Sequence, residues 1–253
     1  MDLTPYIAKG FPGKIDEFLP KVGVKGIDYE QANSMVRVCA ETERFLYEGG
    51  YSARKIRYRA GSRPRLEAIV RGFSADAPRA RAEQAMTWVH ENVRHPFTFG
   101  KLAPDRALTE EQLIDSGKGW CNEQARVFIA LCEVQEVPAR LCFLFHANLV
   151  CGHTTAEAFV EGRWAWFDPT FNLRVELPGG KLAEGRELSG RHRPLAHAAY
   201  RPALEAIYKL GKMEAGGESG WGPVYRPSVE RGGDLLACMG VCNYVIEGVA
   251  AAR

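Results

Sequence analysis

At Pro138 the hydrophobic period of the chain changes. Before it, Ala125, Phe128, Ile129 and Cys132 recur at the spacing that lines one face of a helix. After it, Leu141 to Phe145 is a short apolar and aromatic run, which reads as a buried strand. His153 to Val160 and Arg163 to Asp168 follow as two further strands around Glu161-Gly162, a dipeptide suited to a hairpin turn. Helix, strand and hairpin in that order predict an α+β fold, with helices packed on one side of an antiparallel sheet.

The flanking segments are less patterned. Pro78 to Val93 places Ala82, Ala85, Met86, Val89 and Val93 on one side of a helix that a first-turn proline suits. Thr109, followed by Glu110 and Glu111, caps a short helix through Ile114. Tyr29 to Leu46 sets Ala32, Met35, Val36, Cys39 and Phe45 near helical spacing. A chain of 253 residues fits one large domain. The expected division is a helical N-terminal extension over 1–77, a core over 78–175, and a C-terminal extension over 176–253 with a glycine-rich loop from Met213 to Pro227.

Charge excludes more than it suggests. A net charge of +2 is too mild to point to nucleic acid as the main partner. The basic patch from Arg54 to Arg81 reads as a solvated surface. The apolar stretch Leu235 to Ala252 is interrupted by Asn243 and Glu247, so a buried element is expected there rather than a membrane span. Seven cysteines cannot all pair within one chain, and the opening MDLTPYIAKGFPGK has no signal-peptide apolar region. Both features predict a cytoplasmic protein with reduced thiols.

Cys121 stands apart from the other six cysteines. It follows the loop Ser116-Gly117-Lys118-Gly119-Trp120 directly and opens a helical pattern. Helix N-termini present unpaired N–H groups and partial positive charge, which favour thiolate over thiol. Cys39, Cys132 and Cys142 fit apolar faces and read as small core residues.

A nucleophilic thiolate needs an imidazole and a group that orients it. If Glu161 and Gly162 form a two-residue loop, Val160 pairs with Arg163, Thr155 faces Asp168 and His153 faces Thr170. Residues two apart on a strand share a face, so His153 and Asp168 become diagonal neighbours about 7–8 Å apart. A loop one residue longer would put them on opposite faces. Trp164 and Trp166 share the Asp168 face. Trp120 and Trp166 are the candidate substrate-contacting side chains.

The segment from Gly117 to Asn172 resembles the catalytic core of the transglutaminase-like superfamily. The matching runs are GWC at Gly119–Cys121, VPAR at Val137–Arg140, HTTAE at His153–Glu157 and GRWAWFDPT at Gly162–Thr170. The resemblance implies a papain-like Cys-His-Asp arrangement. Cys121 would be the nucleophile at a helix N-terminus, His153 the general base and acid, and Asp168 the orienting carboxylate. Two departures stand out: Thr155 occupies a position where the family often has an aromatic, and Asn122 follows Cys121 where animal crosslinking forms carry tryptophan.

The expected activity is cleavage of an amide bond in a peptide or small amide through a Cys121 thioester, with hydrolysis favoured. Acyl transfer to an amine, as in a transglutaminase, and a catalytically silent binding module on the same fold are the alternatives. No cofactor is implied. A zinc site built from Cys121, Cys132, Cys142, Cys151, His146 and His153 lacks the close CxxC or HxxxH pairs such sites use. His90 is expected at the surface.

Overall fold

In a computed structural model of the chain, the residues described are 7–9, 34–36, 44, 47–48, 60–95, 108–145, 152–189, 192, 194–196, 198–200 and 202. Cys39, His146, Cys151, Cys238, Cys242, the Met213–Pro227 loop and the Leu235–Ala252 stretch therefore lie outside the described residues.

The elements in chain order are β1 (Ile7–Lys9), β2 (Ser34–Val36), α1 (Pro64–Val70), α2 (Pro78–Asn92), α3 (Glu110–Ser116) and α4 (Cys121–Val134). They continue as β3 (Ala139–Phe145), β4 (Gly152–Val160), β5 (Arg163–Asp168), β6 (Leu173–Arg174) and α5 (Gly185–Ser189). The fold is α+β. Strands β3, β4, β5 and β6 form one antiparallel sheet in that order, and helices pack against it.

Helix α4 is the centre of the packing. It lies against β3 and β4 on one side and against α1, α2 and α3 on the other. Its apolar spacing predicted one buried face, yet Val127, Ala130 and Leu131 are buried along with Phe128, Ile129 and Cys132. A helix surrounded by partners has no solvent side, and its sequence is accordingly apolar around most of its circumference. The core also takes in Leu66 from α1 and Leu182 beyond β6, both outside residues 78–175.

Local chemistry sets the turns. Thr109 and Gln112 form a reciprocal cap on α3, each side chain accepting the other's backbone N–H. Glu161 and Gly162 both adopt positive φ, at 53° and 77°, as a two-residue hairpin turn requires. Val160 pairs with Arg163 and the register runs outward to Ala156 opposite Phe167. The two-residue loop expected from the sequence is present.

Two ion pairs are buried inside the fold. Arg140 of the VPAR run meets Glu157 of the HTTAE run at 2.6 Å between β3 and β4, with both side chains fully buried. The Arg140 guanidinium also lies 3.8 Å from the Trp164 ring centroid. Arg126 meets Glu110 at 2.7 Å, tying α4 to α3. In the basic patch, Arg63 lies 3.5 Å from Glu133, Arg65 contacts Asp115 and Arg79 bonds Glu83 at 3.0 Å; of these three pairs, Arg65–Asp115 is the exposed one.

One expected element is different. The helical spacing over Tyr29 to Leu46 predicted a helix, whereas Ser34–Val36 is a strand paired antiparallel with Ile7–Lys9. Local periodicity carries no information about a strand partner far away in the chain, and here that pairing wins over a weak helical pattern. Among the described residues, no helix is long and apolar enough to cross a membrane.

Candidate active site

The start of α4 is held in place before its first turn begins. The Arg94 N–H donates to the Gly117 carbonyl at 3.0 Å, and the Gly119 N–H donates to the Arg94 carbonyl at 3.1 Å. Gly117 ends α3 in the left-handed conformation, φ 63°. Gly119 is needed for close approach: a Cβ there would come within 3.0 Å of both Val93 Cγ1 and Glu123 Cβ. Trp120 then adopts an extended cap conformation, and its N–H donates to the Glu123 carboxylate at 3.1 Å. Cys121 follows as the first residue of α4, only 6% exposed.

The sheet brings the other two residues to this point. His153 near the start of β4 and Asp168 at the end of β5 lie on one face, and Nε2 of His153 is 2.7 Å from Oδ2 of Asp168. Both are buried. Cys121 acts on the imidazole as well, favouring its charged form. With Nε2 directed to Asp168, Nδ1 is the ring atom that Asp168 does not engage.

Burial by itself would lower the His153 pKa. The charge and hydrogen bond of Asp168, joined by the hydrogen bond and charge of Cys121, outweigh that and raise it to about 10. An imidazolium between two acidic partners is thus the favoured form of this histidine. The Cys132 thiol shows the contrast. Burial alone pushes its pKa far up, as expected for an inert core cysteine.

Asp168 is held from several directions. Its Oδ1 accepts the N–H groups of Thr170 at 2.9 Å and Phe171 at 3.3 Å, the turn in which an aspartate bonds its own following backbone. Its Oδ2 accepts from the Tyr200 hydroxyl as well as from His153. Gln124, one turn after Cys121, accepts from the Thr170 hydroxyl at 2.7 Å and donates to the Val93 carbonyl at 2.7 Å. His90, exposed as expected, has Nδ1 3.0 Å from the Thr170 carbonyl.

The two tryptophans differ. Trp120 is half-buried beside Cys121, with His95 edge-on at 5.4 Å. Trp166, the other candidate substrate-contacting side chain, is fully buried. Its indole N–H donates to Thr155 Oγ1 at 2.9 Å, and its ring backs Tyr200 at 5.8 Å. An indole with its polar edge satisfied inside the sheet belongs to the packing behind the site. The position-155 threonine, which replaces an aromatic of the resembling family, supplies that bond.

Sequence reasoning missed Gln124, Thr170 and Tyr200 as parts of the site. Gln124 and Thr170 left faint signals, a polar residue one turn past the cysteine and a threonine two residues past the aspartate. Tyr200 left none. Among the described residues, no three His, Cys, Asp or Glu side chains are grouped to hold a metal ion.

Residues 67–169 match the family model of the transglutaminase-like superfamily. That segment is similar to a transglutaminase-like core. The matched segment contains Cys121, His153 and Asp168, and it ends before Tyr200. No curated protein matches the chain. Among solved structures, the chain is similar to one titled a "Putative Cysteine Protease" from Cytophaga hutchinsonii, at 20% identity and a TM-score of 0.35. That likeness covers 53% of this chain and 43% of the other, so this chain spans less than half of that protein's length.

Proposed function

We propose that the transglutaminase-like core is a cysteine enzyme that cleaves an amide bond, in a peptide or a small amide, through a thioester on Cys121. One observation carries the reading: a cysteine at a helix N-terminus, a buried histidine whose charged form that cysteine favours, and a buried aspartate 2.7 Å from that histidine's Nε2. Few arrangements of these three residue types serve any other chemistry so directly.

In this reading the Cys121 sulfur attacks the substrate carbonyl carbon. The carbonyl π electrons move onto oxygen, and the backbone N–H groups at the start of α4 stabilise the oxyanion. As the tetrahedral intermediate collapses, the C–N bond breaks and His153 gives its proton to the departing nitrogen. The acyl group is left as a thioester. His153, now neutral, takes a proton from water, whose oxygen attacks the thioester carbon. The acid is released and the Cys121–His153 pair returns. Asp168 keeps Nδ1 aimed at sulfur throughout.

An amine in place of water would give transamidation by the same first half-reaction. Hydrolysis is favoured because water is the default acceptor unless the site excludes it. A reducing cytoplasm suits this chemistry, because the sulfur must stay reduced to react.

The test is capture of an acyl group on Cys121 by mass spectrometry after exposure to a panel of peptide and small amides. Products are then analysed with and without added amine. Acyl-Cys121 and free acid support the hydrolase reading; an amine adduct in place of acid replaces it with acyl transfer. Cys121→Ala abolishes capture, and His153→Ala slows turnover by about 10²–10⁴-fold. Unchanged turnover in Cys121→Ala overturns the role of Cys121, and a wild type with neither capture nor turnover on any amide leaves the binding-module alternative.

A further inference from the structure

We propose that Tyr200 is a positioning residue for this site, its hydroxyl sharing the Asp168 oxygen through which His153 is oriented. The inference rests on the reading of Cys121, His153 and Asp168 as the working group.

An ionised carboxylate offers about four acceptor positions. At Asp168, the two on Oδ1 are filled by backbone N–H groups of its own turn, from Thr170 and Phe171. Those bonds fix the plane of the carboxylate. Oδ2 is left to receive two side chains from elsewhere in the fold, His153 from β4 and Tyr200 from the helical residues after α5. The Tyr200 ring is also edge-on to His153 at 6.3 Å and to Phe171 at 5.6 Å, with Trp166 behind it at 5.8 Å. Tyr200 is 2% exposed. A phenylalanine would fill the same space; only the hydroxyl reaches Oδ2.

The chemistry of sharing follows from electrostatics. A second donor on Oδ2 withdraws negative charge from that oxygen and weakens its hold on the imidazole proton. The Asp168 carboxylate already raises the His153 pKa strongly. An acid that holds its proton too tightly gives it up slowly to a leaving group. Tyr200 thus limits the pull of Asp168 while keeping its geometry. The charged groups acting on His153 are Asp168 from β5 and Cys121 from α4, and Tyr200 faces it from the chain after α5.

The test uses the full chain with ¹⁵N-labelled histidine. The far-downfield proton resonance of His153 Nε2 is assigned by its loss in Asp168→Asn. Tyr200→Phe moves that resonance further downfield and shifts the alkaline limb of Cys121 alkylation by iodoacetamide upward, by roughly half a pH unit or more. Replacing Tyr200 with 3-fluorotyrosine, a stronger donor of nearly the same shape, moves the resonance upfield. An unchanged resonance and limb in Tyr200→Phe overturn the inference and leave the active-site reading intact. If Tyr200→Phe does not fold, the fluorotyrosine chain decides, and an unmoved resonance there overturns it equally. A wild-type chain without any Asp168-dependent resonance overturns the site reading and this inference together.

Discussion

Gln124 accepts a hydrogen bond at 2.7 Å from the hydroxyl of Thr170, which joins the helix headed by Cys121 to the turn that holds Asp168. The same side chain donates to the Val93 carbonyl at the end of α2. One buried carboxamide thus ties the sulfur-bearing helix, the carboxylate turn and the preceding helix to a common point.

Gln124→Leu removes both bonds and leaves the Thr170 hydroxyl and the Val93 carbonyl buried without that partner. The expected cost is about 1–3 kcal/mol for each orphaned group, and less where the site relaxes. Urea denaturation measures it. Iodoacetamide labelling of Cys121 should slow in the folded variant, and labelling at the wild-type rate would show that the link does not set the sulfur's position.

Gly119→Ala places a methyl group 3.0 Å from Val93 Cγ1 and Glu123 Cβ. Relief requires the loop or the start of α4 to move by a few tenths of an ångström. Overpacking of this kind costs about 1–3 kcal/mol. Because the strained residue lies two positions before Cys121, turnover should fall more than stability does. A thermal melt run beside an activity assay separates the two effects.

His153 gives the protein a pH signature. Its folded pKa, about 10, lies above the unfolded value of roughly 6.5. The favoured proton therefore stabilises the fold fully below about pH 6.5, and that contribution is lost as pH rises through 10. Urea midpoints of the wild type, compared with His153→Gln, should converge between pH 7 and 10. A constant difference across that range would mean that His153 is not held as an imidazolium.

Glu157→Gln tests the buried pair between β3 and β4. The Arg140 guanidinium is fully buried, bonded to Glu157 at 2.6 Å and stacked on Trp164. Glu157 also accepts from the Tyr47 hydroxyl at 2.8 Å and the Gly185 N–H at 2.7 Å. Neutralising it leaves a buried cation uncompensated, at an expected cost of about 3–5 kcal/mol. Chemical denaturation reads the loss, and a change below 1 kcal/mol would contradict this account.

Much of the candidate site was legible in the sequence. Gly119-Trp120-Cys121 announced a helix start, because a glycine and an abrupt change to helical spacing are local signals. Glu161-Gly162 announced the hairpin, and its two-residue length fixed which residues of β4 and β5 share a face. His153 and Asp168 followed from that register by counting in twos.

What local pattern determined, then, was the elements, their faces and the order of Cys121, His153 and Asp168. Tertiary structure alone decided that α4 is enclosed on all sides, that β1 and β2 pair across the N-terminal segment, and that Trp166 lies behind the site. It also decided that Tyr200 shares the second oxygen of Asp168. The physical reason is common to all four. A residue's periodicity depends on neighbours within a turn or a strand, whereas burial and the last open acceptor of a carboxylate are settled by whichever distant segment packs there.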